Sequence, residues 1–450
     1  MPGYRCIRDR IFLTVWLFFA LGSLPACQSL LWWQQTPLEP TGGQKPEVHP
    51  PPRASAFDLS GTTDVVGELY VVTAREDDTL FDLARRYNLG ISEIVAANPG
   101  VDQWLPGVGT PVVLPTRYLL PDAPRQGLVL NLSAMRLFHF PKAIDGVTRQ
   151  VITYPIGIGR EGWGTPQGAS KIVKKVVDPT WYVPQSIRKE YAQAGDPLPA
   201  KVPPGPDNPL GAFALRLGFA GYLIHGTNKP AGIGMRVSHG CVQLYPEDIE
   251  ALFARVPLAT PVRIVNQPYL AGWRDGELYL QAYPLLSEQR RAWGEDLQPL
   301  HQAIKKALQR SKIETAIDWE KAERLACAAR GIPVPLSPAA PDLKEIVAAL
   351  PVYRAPSQGI SFVDTMEAGS ITANKGWFIQ AGSFRLERNA KKLVAMLRHM
   401  GPPISAKPIH ADGTHRVLAG PFASRGEAKR NADRIESSLG EDTVIFGDFD

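Results

Sequence analysis

Cysteine and histidine are scarce in this chain, with four and eight residues among 450. The cysteines form no Cys-x-x-Cys pair, so the common structural zinc patterns are excluded. The formal net charge is only +5, which gives no reason to expect a nucleic-acid partner. The glycine-rich stretch 157–168 lacks the Gly-Lys-Ser/Thr ending of a phosphate-binding loop. We therefore expect no metal, no organic cofactor and no nucleic acid.

A long apolar run is also missing. The stretch from Ile11 to Leu21 is apolar but too short to span a bilayer comfortably. It is preceded by three arginines, Arg5, Arg8 and Arg10. This layout is typical of a secretory signal peptide, which we predict for residues 1–26.

The end of that segment, Leu24-Pro25-Ala26-Cys27, resembles a bacterial lipoprotein processing box. The resemblance implies cleavage before Cys27, a lipid on its sulfur, and attachment to a membrane through that lipid. Gln28 follows where an Asp would direct retention, so the resemblance implies the periplasm and the outer membrane of a Gram-negative bacterium. A plain cleaved signal and a retained membrane anchor stay open as alternatives.

One thiol and two imidazoles lie close together in an apolar, β-rich region. Cys241 directly follows His239 and Gly240, and His225 lies upstream in Ile224-His225-Gly226-Thr227. A thiol becomes a good nucleophile when a histidine takes its proton, and backbone N–H groups can hold the oxyanion that forms after attack on an acyl group. The alternatives are a buried cysteine beside a satisfied imidazole and an incomplete zinc site.

The segments 224–228 and 232–242 resemble the active-site signature of the L,D-transpeptidase catalytic domain, a β-rich cysteine enzyme of bacterial cell walls. The resemblance implies that Cys241 is the nucleophile and His225 the proton donor and acceptor, with His239 and Gly240 on the oxyanion side. Substrate-binding positions are Gly226, Thr227, Arg236, Ser238 and Gln243. The family usually has Arg at the position of Gln243, and a glutamine cannot replace that charge. Arg236 is a candidate for the missing cation.

The chain length predicts several domains. Alternating apolar residues predict strands over most of residues 125–267, which we assign to the catalytic domain as a β-sandwich. Small α+β modules are predicted on both sides of it. Residues 28–66 are rich in proline and predict a disordered linker. Residues 268–340 predict a hairpin at Asp275-Gly276 followed by a helical extension, and residues 341–373 predict a second linker.

Residues 67–117 show a β-α-α-β order and resemble a LysM domain, which binds N-acetylglucosamine-containing glycan. The resemblance implies glycan contacts from Asp78, Thr79, Asn98 and Pro99. A packing module without a ligand is the alternative.

Residues 374–450 show a β-α-β-β-α-β order and resemble a SPOR domain, a ferredoxin-like unit that binds glycan strands of peptidoglycan. Its candidate glycan contacts are Gln380, Ser383, Phe384, Arg416 and Phe422. A packing unit without a ligand is again the alternative.

These features together predict a periplasmic L,D-transpeptidase that forms a Cys241 thioester with peptidoglycan tetrapeptide stems. The acceptor would be a neighbouring stem or a lysine of a wall-attached lipoprotein. With water as acceptor the enzyme would be an L,D-carboxypeptidase or endopeptidase. A non-catalytic wall-binding scaffold is the rival from another class. Cys327 is expected to pack on a helix face, and no disulfide is predicted.

Overall fold

The computed structural model describes residues 55–59, 63–142, 149–311, 313–354 and 376–447. All of them belong to one unit of contacts, Pro50–Asp450. The predicted signal peptide and the lipid site at Cys27 lie outside the described residues. Within the described ranges, no helix is long and apolar enough to cross a membrane.

The first part of the described chain contains the LysM-like region and the strands around it. Its elements are β1 (Ala56–Asp58), β2 (Val65–Gly67), β3 (Tyr70–Thr73), α1 (Leu80–Arg86), α2 (Ile91–Ala97), β4 (Pro111–Leu114) and β5 (Arg117–Leu119). The predicted β-α-α-β order is found as β3-α1-α2-β4. Thr79 caps α1 by accepting a hydrogen bond from Asp82 N, and the Asp82 side chain accepts from Thr79 N in return.

The central part of the chain is mostly β. Its elements are β6 (Gly127–Asn131), β7 (Arg136–Phe140), β8 (Gln150–Pro155), β9 (Ile158–Gly159), β10 (Gly168–Val177), β11 (Trp181–Tyr182), α3 (Gln185–Gln193), β12 (Lys201–Val202), β13 (Phe213–Leu217), β14 (Leu223–His225), a 3-10 turn (Pro230–Gly232), β15 (Arg236–Ser238), β16 (Val242–Gln243), α4 (Pro246–Arg255) and β17 (Pro261–Val265).

One nine-stranded sheet runs through this part, in the order β1-β8-β7-β6-β17-β10-β13-β14-β16. Strand β10 pairs with β17 through residues 168–171 and with β13 through residues 172–177, so it belongs to both halves. The predicted sandwich is therefore one continuous sheet whose two halves share β10. Its apolar core combines β6 and β7 residues with β13, β14 and α4 residues, including Leu130, Leu215 and Leu252.

The predicted linker over residues 28–66 is wrong at its C-terminal end. Ala56–Asp58 pairs antiparallel with β8 at the edge of the large sheet, and β2 pairs with β5. The Phe57 ring packs edge-on against Tyr118 at 6.0 Å. Such short strands have too little alternation to be seen in a proline-rich stretch, and partners distant in sequence decide their pairing.

The extension begins with the predicted hairpin and continues into helices. Its elements are β18 (Tyr269–Arg274), β19 (Glu277–Ala282), α5 (Ser287–Trp293), α6 (Gln298–Arg310), α7 (Trp319–Ala328) and β20 (Val334–Pro335). Asp275 and Gly276 form the turn with positive φ values of 53° and 80°. Cys327 lies on α7, and the prediction of no disulfide stays a prediction, because Cys6 and Cys27 lie outside the described residues.

The second predicted linker, residues 341–373, is wrong at its beginning. It contains α8 (Leu343–Ala348) and β21 (Val352–Arg354), and β21 adds a parallel strand to β3 of the LysM-like sheet. The Tyr353 ring packs edge-on against Tyr70 at 5.7 Å. This pairing could not be predicted, because the partner strand lies far upstream in the chain.

The last part of the chain has the predicted β-α-β-β-α-β order. Its elements are β22 (Trp377–Phe384), α9 (Glu387–Arg398), β23 (Ala406–Ala411), β24 (Thr414–Phe422), α10 (Arg425–Leu439) and β25 (Val444–Phe446). The four strands form one antiparallel sheet in the order β23-β24-β22-β25. The core of this module contains Leu393 and Leu397 from α9 and Ile435 from α10, packed with strand residues.

Candidate active site

Strand pairing brings Cys241 and His225 together. Strands β14 and β16 are parallel, with Ile224 opposite Val242 and His225 opposite Gln243. Cys241, one residue before β16, therefore lies level with Leu223. Because side chains two residues apart on a strand share a face, His225 points to the same side of the sheet as Leu223. The fifteen residues between His225 and Cys241 return the chain to the strand that neighbours the one carrying the histidine.

The Cys241 thiol is free and its side chain is partly exposed. Its Sγ lies 3.9 Å from Gly221 O. Burial of the sulfur raises the pKa of Cys241 above its ordinary value, and a hydrogen bond from the Leu223 backbone opposes this effect. The thiol is therefore protonated at neutral pH, and it needs a base in order to react.

The His225 side chain can serve as that base. It is buried, and burial lowers the pKa of His225 to about 4, so the ring is neutral at physiological pH. Its Nδ1 lies 2.7 Å from Gly226 O. A carbonyl oxygen only accepts hydrogen bonds, so Nδ1 carries the proton and Nε2 keeps a lone pair.

The turn before Cys241 is held by the Ser238 hydroxyl. Ser238 Oγ donates to Cys241 O at 2.5 Å and accepts from Gly240 N at 3.1 Å. Gly240 has a φ of +102°, and a Cβ there would lie 2.8 Å from Tyr222 Cε1. Thr165 Oγ1 donates to Gly240 O at 2.9 Å, so the glycine-rich loop supports the turn from outside.

Two backbone N–H groups of the turn differ in availability. The Gly240 N–H donates to Ser238 Oγ, so in this conformation its hydrogen is not available to an oxyanion. The Cys241 N–H donates to no protein group within the described ranges. It is therefore the more suitable donor for an oxyanion beside the sulfur. The oxyanion side predicted at His239 and Gly240 stays a prediction.

His239 lies in a polar cluster that the sequence did not reveal. Its Nε2 is 3.0 Å from Arg160 Nη2 and 3.3 Å from Glu190 Oε2. Trp163 packs edge-on against the His239 ring at 4.9 Å. Burial and the Arg160 charge lower the pKa of His239, so this ring is also neutral and accepts a hydrogen bond from Arg160. Arg160 and Trp163 belong to the glycine-rich stretch 157–168.

The remaining substrate-binding candidates are mostly engaged within the protein. Thr227 is buried and its Oγ1 accepts from Lys229 N at 2.9 Å. A Cβ at Gly226 would lie 3.1 Å from Ile249 Cγ2, so the backbone packs closely there. Gln243 is half-buried and exchanges two backbone hydrogen bonds with Gly157, at 2.8 and 2.9 Å.

Arg236 is not the free cation that the sequence suggested. Its Nη2 and Nη1 lie 2.6 and 3.0 Å from the two carboxylate oxygens of Glu288. It also donates to Ser287 Oγ at 2.9 Å and to Gly159 O at 3.1 Å. This pairing lowers the pKa of Glu288 to about 2. The guanidinium therefore links the active-site loop to α5, and its charge is already compensated.

The LysM-like module packs directly on the active-site loops. Ile91 N donates to Ile233 O at 3.1 Å, and a Cβ at Gly90 would lie 2.7 Å from Gly234 Cα. Arg136 from β7 is fully buried, and its Nε and Nη2 donate to the Glu93 carboxylate of α2 at 2.8 and 2.7 Å. The module therefore has a fixed position beside the loop between His225 and Cys241.

The glycan candidates of the LysM-like module divide into two groups. Asp78 is buried and pairs with Arg86 at 2.6 Å, and Asn98 is buried with hydrogen bonds to Ile94 O and Val113. We assign these two residues structural roles, because their polar atoms are used inside the module. Pro99 is exposed and stays a predicted contact.

Helix α9 of the C-terminal module covers the fourth candidate, Thr79. Its hydroxyl lies 3.0 Å from His399 Nε2, and Arg398 Nη2 pairs with Asp82 Oδ2 at 2.6 Å. The His399 ring also packs against Phe81 at 5.2 Å. The start of α1 is therefore an interface with the C-terminal module in this structure.

The candidates of the SPOR-like module lie on opposite faces of its sheet. Phe422 belongs to the core beneath the helices, and Phe384 packs against that core while staying partly exposed; both stay predicted glycan contacts. Ile379, Ala381 and Val417 also belong to that core, so the alternation of side chains puts Gln380 and Arg416 on the open face. Ser383 is exposed opposite Arg416. Gln380, Ser383 and Arg416 stay predicted glycan contacts.

Three family models match the chain. The L,D-transpeptidase catalytic domain matches residues 125–264, the LysM domain residues 72–115 and the SPOR domain residues 373–445. The three resemblances predicted from the sequence are therefore confirmed.

Curated relatives carry the same family name. The chain is 40% identical over 292 residues to probable L,D-transpeptidase YbiS of Escherichia coli (strain K12), which covers 63% of this chain and 93% of the relative. It is 37% identical over 286 residues to probable L,D-transpeptidase ErfK/SrfK of Salmonella typhimurium, covering 62% and 90%. The NMR structure of the catalytic domain of an L,D-transpeptidase from E. faecium is 21% identical, covers 32% of this chain and 99% of that chain, and has a TM-score of 0.24. The long matches to the curated relatives show that the chain belongs to the L,D-transpeptidase family and is an L,D-transpeptidase, with a LysM domain before its catalytic domain and a SPOR domain after it.

Proposed function

We propose that this L,D-transpeptidase acts on peptidoglycan tetrapeptide stems through Cys241 and joins the acylated stem to an amine acceptor. The observation that carries the proposal is the position of a partly exposed thiol beside the strand that ends at His225. Two domains of wall-binding families flank the catalytic domain, and they would raise the local concentration of the same polymer.

The protonation states favour general-base catalysis. The pKa of Cys241 is raised and that of His225 is lowered to about 4, so the thiol and the imidazole are both neutral at rest. His225 Nε2 would take the proton as the sulfur attacks the carbonyl carbon of the third residue. The hydrogen bond from Nδ1 to Gly226 O keeps the ring in the tautomer that this step requires.

The reaction then divides into two acyl transfers. Attack forms a C–S bond, and the carbonyl oxygen becomes an oxyanion that the Cys241 N–H can hold. Collapse breaks the C–N bond to the terminal D-residue, whose amine takes the proton from His225. An acceptor amine next attacks the thioester, loses its proton to His225 and releases the thiol. Loss of an oxyanion donor costs roughly 100-fold or more in rate in other acyl-transfer enzymes.

The cellular setting belongs to the same proposal. An exported enzyme with wall-binding domains would act in the periplasm, and the lipid on Cys27 would hold it at the outer membrane. Its acceptor would be the amine of a neighbouring stem or a lysine of a wall-attached lipoprotein.

Incubation of purified cell wall with the enzyme, followed by digestion and mass spectrometry of the fragments, tests the reaction. We expect direct cross-links between third-position residues with the unaltered protein and none with Cys241→Ala. Tripeptide stems without new cross-links would identify water as the acceptor. A carbapenem should add its mass to the unaltered protein and leave Cys241→Ala unmodified. Equal product patterns for the two proteins would refute the role of Cys241.

A further inference from the structure

Two positions near Cys241 at which a cation was expected, 236 and 243, do not supply a free one. Gln243 is neutral where the family usually has Arg, and the Arg236 guanidinium is paired with both oxygens of Glu288. A peptide stem with a free carboxylate is recognised best by a guanidinium, because its N–H groups match the two oxygens of the carboxylate. Another cation, Arg160, lies beside the turn that precedes Cys241.

Arg160 lies at this turn and is fixed there by its backbone. Its N–H donates to Ser238 O at 2.9 Å, and the preceding residue, Gly159, pairs with Ser238. Its guanidinium reaches the ring of His239, two residues before Cys241, with Nη2 3.0 Å from Nε2. The side chain keeps 38% of its surface exposed, so it can be reached from solvent.

The Arg160 guanidinium is only partly used. Its contacts with Glu190 and His239 are both made by Nη2. Nε has no hydrogen-bond partner, and Nη1 donates to no protein group in the part of the chain that the structure describes. Glu190, on the otherwise exposed helix α3, is itself a carboxylate bound to this guanidinium. The pair is half-exposed, so replacing one carboxylate by another costs little.

We propose that Arg160 binds a carboxylate of the acyl-donor peptide and supplies the charge that Gln243 lacks. This assignment rests on the proposed function, since it concerns the donor of the same acyl transfer. The Glu190 carboxylate pairs with the Arg160 guanidinium when the donor is absent, and the donor carboxylate replaces Glu190 when the donor binds. Arg160 is thereby a specificity residue for anionic donors, and the neutral ring of His239 holds its guanidinium in position.

The test compares donor peptides that differ in one charge. The donors are a tetrapeptide with a free terminal carboxylate and a carboxylate on the side chain of its third residue, the same peptide with a terminal amide, and the same peptide with that side-chain carboxylate amidated. Acyl-enzyme formation on Cys241 is followed by intact mass over a range of donor concentrations. The proteins are the full-length chain, Arg160→Gln, Arg160→Lys, Glu190→Gln, and Arg160→Gln combined with Gln243→Arg.

We expect Arg160→Gln to raise KM for the free-carboxylate donor about tenfold or more, with kcat nearly unchanged. The full-length chain should discriminate against one of the two amidated donors, which identifies the carboxylate, and Arg160→Gln should lose that discrimination. Arg160→Lys should keep part of this discrimination between donors, and adding Gln243→Arg to Arg160→Gln should restore part of it. Glu190→Gln should leave KM equal or lower, because a competing carboxylate is removed.

Three results would overturn the assignment. One is a rise in KM for Arg160→Gln that is equal for all donors, and another is no rise in KM for Arg160→Gln at all. The third is a rise in KM for Glu190→Gln as large as that for Arg160→Gln. The first and third would mean that the ion pair only holds α3 in place. Absence of acylation in the unaltered chain would instead remove the proposed function together with this assignment, so the two failures are distinguishable.

Discussion

The buried ion pair between Glu93 and Arg136 should hold the LysM domain to the catalytic sheet. The Glu93 carboxylate receives three N–H groups, two from Arg136 at 2.8 and 2.7 Å and one from Gly90 at 2.7 Å. The Glu93→Gln variant keeps the shape but removes the charge. Whichever way the new amide turns, its NH2 group faces another donor, so at least one buried N–H loses its acceptor.

The loss of stability in Glu93→Gln depends on the contacts that Arg136 keeps. Its Nη2 still donates to Asn88 O at 2.8 Å, its Nη1 to Thr153 Oγ1 at 3.1 Å, and its guanidinium stays 4.3 Å from the Tyr118 ring. Breaking a buried pair by changing one partner costs about 3–5 kcal/mol. We take the lower end, about 3 kcal/mol, because these contacts partly compensate the charge. For the LysM and catalytic domains, which together have roughly 200 residues, this corresponds to a fall in Tm of about 6–12 °C.

Differential scanning calorimetry measures this fall, and hydrogen exchange at residues 91–97 locates it. Glu161→Gln is the matched control, because the Glu161–Arg291 pair lies on the surface and its removal should leave Tm unchanged. Adding Arg136→Met to Glu93→Gln should recover much of the loss, since no buried charge remains. A Tm for Glu93→Gln equal to that of the control would refute the reasoning.

Three further predictions concern the site and the contact between the wall-binding domains. Gly240→Ala should destabilise the catalytic domain by about 1–3 kcal/mol, because φ is +102° and the new Cβ meets Tyr222. Gly162→Ala, whose new Cβ would have no atom within 4 Å, controls for the positive φ alone. Equal losses of Tm in the two variants would contradict the steric argument. The rate of Cys241 alkylation by iodoacetamide should rise about tenfold per pH unit between about pH 6 and 8, because the raised pKa keeps the thiolate a minor species whose fraction grows with pH. A plateau of the rate in that range would reveal a stable thiolate. Cys241→Ala gives the background rate. Arg398→Glu should speed hydrogen exchange at the start of α1 by placing a carboxylate against Asp82, whereas Lys429→Glu, at an exposed pair with Asp433, should not; equal exchange in both would contradict the interface.

The candidate residues of the active site could be predicted because they lie close together in the sequence. His225, Ser238, His239, Gly240 and Cys241 lie within seventeen residues, and a parallel pairing of two short strands is enough to bring their ends together. The protonation states could not be predicted. They depend on how deeply the fold buries each ring and sulfur, which no local pattern records.

The sequence by itself determined the family and the β-α-α-β and β-α-β-β-α-β orders of the flanking domains, because these depend on local periodicity and on residues close together in the chain. Only the tertiary structure decided that Arg236 is neutralised by Glu288, that Arg160 faces His239, and that α9 covers Thr79. Each of these pairs joins residues more than fifty positions apart. Their contact depends on how whole elements pack, and a one-dimensional pattern carries no information about that distance.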